Sequence, residues 1–132
     1  MGLDNGIMAR SKVTIPALRK YVDEIYGLDE QGNVVYELCY WRKCWNIRSL
    51  ILSDVLKWRG SNQYEFPLTE DHIKEIIKVL SGLNKKNWND AGASIWEFNE
   101  QRDHIKRHIK ALRTLLKVMR KHEIEVWFYD SY

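Results

Sequence analysis

A chain of 132 residues, 45% hydrophobic and 30% charged, is long enough for one domain with its own core and too apolar to stay disordered. No stretch approaches the roughly 20 apolar residues of a membrane-spanning helix, and the first residues lack the basic-then-apolar order of a secretion signal, so a cytoplasmic protein is predicted. The net charge of +3 is uneven: residues 99–121 hold eight Lys or Arg against two acids, a surplus of +6, which leaves −3 on the remainder and predicts one basic helix on a mildly acidic body.

Residues 2–9 read as a strand, with Asp4, Asn5 and Gly6 as a candidate turn or bulge inside it. Lys12, Val13, Thr14 and Ile15 alternate and suit its partner. Pro16 fits the first position of a short helix carrying Leu18, Val22 and Ile25; an extended stretch from Tyr21 to Tyr26 is the alternative. Residues 29–33 form a polar turn. Val34, Val35 and Tyr36 then lead into a predicted central helix from about Tyr40 to Trp58. Tyr40, Cys44, Ile47, Ile51, Val55 and Trp58 recur at steps of three and four, and Trp41, Trp45, Leu52 and Leu56 widen that stripe. Gly60 would end it.

Tyr64, Glu65 and Phe66 suit a short strand stopped by Pro67. Thr69 is a good N-cap, Glu70 and Asp71 complement the helix dipole, and Ile73, Ile76, Ile77, Leu80 and Leu83 carry an amphipathic helix to about Asn84. Residues 87–92 read as a loop that carries Trp88 in a polar context, and residues 94–98 as a weakly alternating strand. Asn99 is the candidate N-cap of the longest helix, whose stripe is Ile105, Ile109, Leu112, Leu116 and Met119, broadened by Leu115. Residues 125–129 make a last strand. The whole predicts an α+β protein, one globular domain over residues 1–132: a small antiparallel sheet with about three main helices packed on it. The regular four-three stripe and the surplus of Trp predict a homo-oligomer.

Chemistry-bearing patterns are sparse. Glu100, His104 and His108 fall at four-residue steps, but Lys106 and Arg107 stand where a helical zinc signature needs an acid, so no metal site is predicted. Cys39 and Cys44, five apart on the predicted helix, point in different directions and read as reduced, buried thiols. There is no phosphate-cradling glycine loop and no nucleophile elbow, hence no catalytic residue and no cofactor is assigned. Lys106, Arg107, Lys110, Arg113, Lys117, Arg120 and Lys121 spread over the exposed arc of the long helix. That arc is a solvated face or a polyanion-binding one, without the signatures of sequence-specific DNA reading. The densest constellation is aromatic and cationic. Trp41 and Trp45 with Arg42 and Arg48 are either core filler with a snorkelling arginine or the lining of a pocket in which indoles stack on a base and guanidinium groups hold phosphate.

The opening Gly2-Leu3-Asp4 and the helix start Tyr40-Trp41-Arg42-Lys43, followed by a second amphipathic helix and an aromatic-acidic strand feeding a long helix, resemble a group of small proteins encoded by phages and prophages. Cys44-Trp45-Asn46 departs from members of that group, which vary there. The resemblance implies a phage setting in the bacterial host cytoplasm and an accessory or anti-defence role by binding; it carries over no site residues. The leading expectation is therefore a non-enzymatic binding protein that captures a small anionic, nucleotide-like ligand through Trp41, Arg42, Trp45, Arg48, Trp96, Arg102 and Arg113, with Trp88 as a further candidate. The alternatives are a module that docks on a host protein through its basic helix or an exposed Trp surface, and a nonspecific nucleic-acid binder.

Overall fold

The computed structural model describes residues 3–22, 28–58, 60 and 63–131. Its strands are β1 (Asp4–Ser11), β2 (Val34–Arg42), β3 (Glu65–Pro67) and β4 (Glu125–Ser131). Its helices are α1 (Pro16–Arg19), α2 (Trp45–Ser49), which runs on as a π-helical segment Leu50–Val55, then α3 (Glu70–Ser81) and α4 (Phe98–Met119). The four strands form one antiparallel sheet in the order β2-β1-β4-β3. The protein is α+β, as the element pattern predicts. No helix among the described residues is long and apolar enough to cross a membrane.

The sheet has one covered face and one open face, and strand alternation decides which residue goes where. On the covered face, Asn5, Ile7 and Ala9 of β1 stand opposite Asp130, Phe128 and Val126 of β4, and all are buried. The helices pack there: α4 lays Ile105, Ala111, Leu112 and Leu115 into the core, and α3 adds Ile73, Ile76 and Leu80. Phe66 of β3 closes the far edge between Trp58 and Phe128, at ring distances of 5.2 and 6.1 Å. Ile109, Leu116 and Met119 of the same stripe are only partly buried.

The predicted central helix begins too early in the sequence reading. Residues 34–42 are strand β2, and the helix starts only at Trp45. The cause is a bulge. Ile7 pairs with Cys39 but the next residue, Met8, pairs with Glu37, so Leu38 is an extra residue on β2. The bulge sends Leu38 and Cys39 inward one after the other and breaks the two-residue period, while Tyr40, Cys44 and Ile47 mimic a helical one. Lys43, at φ 54°, then turns the chain from strand to helix, and its N–H bonds the Leu3 carbonyl at 2.7 Å. The expected turn or bulge at Asp4, Asn5 and Gly6 is instead regular strand, paired on both sides.

Three further expectations are corrected. Residues 12–15 form no strand, and β1 pairs with β2 and β4 instead. Residues 94–98 make only one bridge, Ser94 to Cys44, and Phe98 already opens α4 behind a Glu97 N-cap, whose N–H bonds Glu100 at 3.3 Å. Residues 87–92 are a loop as expected, but Trp88 on it is 2% exposed and packs into the core instead of a polar setting. Pro16 does open a helix, and Thr69 does cap α3, sharing a reciprocal pair of bonds with His72. Gly2, the alternatives over residues 23–26 and the turn residues 61–62 lie outside the described residues.

Candidate functional site on the open face of the sheet

The expected pocket of indoles and guanidinium groups does not assemble. Trp41 points from β2 into the core at 1% exposure, edge-on to His108 of α4 with ring centroids 5.2 Å apart. Burial without a bonding partner holds the His108 imidazole down to about 4, helped by the nearby charges of His104 and Arg107. Trp45 is 42% exposed, with the Arg48 guanidinium 5.5 Å from its ring centre. Arg48 is committed, however. Its Nε bonds both oxygens of Asp130, at 2.8 and 3.0 Å, and that carboxylate is 2% exposed. Asn5 donates to the same carboxylate at 3.4 Å, so the group is a structural clasp between α2 and the sheet.

Trp96 and Trp88 spend their N–H groups on structure as well. Asn46 donates to the Trp88 carbonyl at 2.8 Å, Trp88 Nε1 donates to the Trp96 carbonyl at 2.8 Å, and Trp96 Nε1 donates to the Arg42 carbonyl at 2.9 Å. This relay pins the loop before α4 to the end of β2. The side chain of Arg42 is exposed there, while Arg102 and Arg113 are exposed on α4. The seven residues expected to hold an anion therefore divide between the core, one corner of the fold and the back of a helix.

The open face of the sheet is different. Its rows run across the strands: Glu37, Met8, Trp127 and Pro67 in one, and Tyr40, Gly6, Tyr129 and Glu65 in the next. Gly6 shapes this surface. A Cβ there would meet the Cys39 carbonyl oxygen at 2.2 Å and Tyr129 Cε1 at 2.8 Å, so the Tyr129 ring lies against bare backbone. From that position its hydroxyl crosses β1 and donates to Glu37 on β2 at 2.8 Å. Burial raises the Glu37 carboxyl above its usual range and the Asp4 charge adds to this, while the Tyr129 bond opposes it. The same burial and the Glu37 charge push the Tyr129 hydroxyl well up. Tyr40 bonds Asp4 at 2.8 Å and is pushed up to about 12, by desolvation first and then by that bond.

Met8, Glu37, Tyr64, Glu65, Trp127, Tyr129, Asp130 and Ser131 line an open groove of about 420 Å³ on this face. Among the described residues no Lys or Arg lines it, and neither Glu37 nor Glu65 has an ion-pair partner. One row along, the same chemistry is already satisfied from within. The Arg10 guanidinium lies 4.9 Å from the Trp127 ring centre, and its Nε is 2.6 Å from Glu125. Rings, a thioether and two carboxylates that have no ion-pair partner among the described residues make a surface suited to a positive group, one of whose rings, Trp127, already carries Arg10.

The sequence analysis assigned none of these groove residues to a site. A usable signal lay in β4, where Val126, Phe128 and Asp130 take one parity and Glu125, Trp127, Tyr129 and Ser131 the other. Two large aromatic side chains beside a carboxylate on the outward parity are a sequence signal for a candidate binding face. Asp130 on the apolar parity announces a buried partner. Comparison of the chain with protein-family models, with curated proteins and with solved structures finds no match in any of the three. The groups of three or more His, Cys, Asp or Glu that could hold a metal ion are absent among the described residues.

Proposed function

We propose that this chain is a non-enzymatic binding protein that docks on another protein through the open face of its sheet, and that the segment it receives is basic. The observation that carries this is the groove: aromatic side chains beside two carboxylates, Glu37 and Glu65, that have no ion-pair partner among the described residues. In the phage setting implied by the Gly-Leu-Asp and Tyr-Trp-Arg-Lys resemblance, the partner would be a host protein and the outcome anti-defence. Capture of a nucleotide-like anion has less support. Trp41 is sealed in the core and Arg48 is tied to Asp130.

The test is a nuclear magnetic resonance titration with a twelve-residue peptide of mixed Arg and Lys. Amide shifts at Met8, Glu37, Trp127 and Tyr129, weakening as salt is added, are expected. Shifts absent, or confined to α4, would overturn the reading. A second reading has its own observation: Arg102, Lys106, Lys110, Arg113 and Lys117 are all exposed on α4, an arc that suits a polyanion. It predicts oligonucleotide binding that falls steeply with salt, and thermal stabilisation by members of a nucleotide panel. Self-association, expected from the Trp content, is read by light scattering across a concentration series.

A further inference from the structure

We infer that the Glu37 end of the groove is a seat for an arginine side chain of the docked segment, and that it selects arginine over lysine. This rests on the reading that the open face receives a basic polypeptide. Glu37 lies in the cross-strand row with Met8 and Trp127, and its carboxylate is brought toward the middle of the sheet by the Tyr129 hydroxyl at 2.8 Å. A guanidinium entering here meets the Met8 thioether, the Tyr129 ring and the half-buried Glu37 carboxylate, beside the Trp127 ring over which Arg10 already lies.

The chemistry favours a plane over a point charge. A guanidinium is weakly hydrated, stacks on aromatic faces and offers parallel N–H donors to a carboxylate. An ammonium is strongly hydrated and gains less from a ring. The sheet already holds one arginine in this way, since Arg10 lies over Trp127 with its Nε on Glu125. Glu65 differs in kind. It sits on β3, three inter-strand steps from β2, or about 14 Å at the backbone, and it is exposed. It attracts positive charge of either type without discriminating.

Three peptides of the same nine-residue length separate these claims: one whose central residue is arginine, one with lysine there and one with uncharged citrulline, all with a single flanking lysine. Affinity is read from Trp fluorescence and from amide shifts. The wild-type protein binds the arginine peptide at least about ten times more tightly than the lysine peptide, and the citrulline peptide more weakly than both. Glu37→Gln keeps the shape of the side chain and reduces the arginine-over-lysine ratio to near one. Glu65→Gln weakens both cationic peptides by a common factor and leaves the ratio intact. Equal binding of arginine and lysine by the wild type, or a ratio that survives Glu37→Gln, would overturn the seat while leaving the docking face standing. Binding of none of the three would overturn both.

Discussion

Replacing His108 by leucine should remove most of an acid sensitivity that the fold builds into its own core. His108 faces Trp41 across the interface of α4 and β2, and neither the His108 Nδ1 nor the Trp41 Nε1 has a bonding partner. The imidazole is thus held neutral: desolvation, then the charges of His104 and Arg107, bring it from 6.5 down to about 4. Below pH 6.5 the unfolded chain takes up a proton at this position and the folded chain does not, until the pH reaches about 4. The unfolded state binds more protons throughout that window, so stability is full above pH 6.5 and drains away as the pH falls. The distance from 6.5 to about 4, at about 1.4 kcal/mol per pH unit, sets a ceiling of about 3.5 kcal/mol. Urea unfolding at pH 7.5, 6.5, 5.5 and 4.5 measures it, and His108→Leu is the reference. At pH 7.5 the two proteins should lie within about 1.5 kcal/mol, since the volume is nearly kept and an unpartnered nitrogen is lost. By pH 4.5 the wild type should have lost about 2–3 kcal/mol relative to the variant. Glu37, raised, and Asp29, lowered by the Asn33 backbone bond, titrate in both proteins and cancel in the difference. Parallel pH profiles for the two proteins would refute the claim that His108 is buried neutral against Trp41.

Gly6→Ala should destabilise by about 2–3 kcal/mol or prevent folding, because its Cβ would stand 2.2 Å from the Cys39 carbonyl oxygen; a thermal midpoint close to wild type would contradict the close approach of β1 and β2. Asp130→Asn should cost about 3 kcal/mol in urea unfolding, since it leaves the Arg48 guanidinium without its carboxylate in a largely buried place; a loss under about 1 kcal/mol would show that solvent takes over the role. Trp41→Ala should cost about 3–5 kcal/mol, and Trp45→Ala, 42% exposed, less than about 1 kcal/mol. Comparable losses would mean that both indoles are core.

Much of the fold was legible because local signals there agree with the final packing. Thr69 with Glu70 and Asp71, the Ile73–Leu80 stripe and the Ile105–Leu115 stripe each carry their own period and their own stop or start. Residues 36–48 misled for a physical reason. One inserted residue, Leu38, converts a strand with an alternating pattern into one with consecutive inward residues, and the turn at Lys43 then sets Cys44 and Ile47 in helical phase with Tyr40. A bulge is chosen by the partner strand, and the partner is 30 residues away in the chain, so no window along β2 alone contains the information. The candidate face was hidden by the same circumstance. Because of the bulge, Glu37 and Tyr40, of opposite parity in the sequence, emerge on one side of the sheet. Because of Gly6, Tyr129 of β4 can reach Glu37 of β2 over an intervening strand. Sequence reading weighs cations beside indoles because they are neighbours in the chain. The protein instead used Arg48 to neutralise a buried Asp130 and Trp41 to fill its core, and left outward those aromatic and acidic residues that become neighbours only after the sheet has closed.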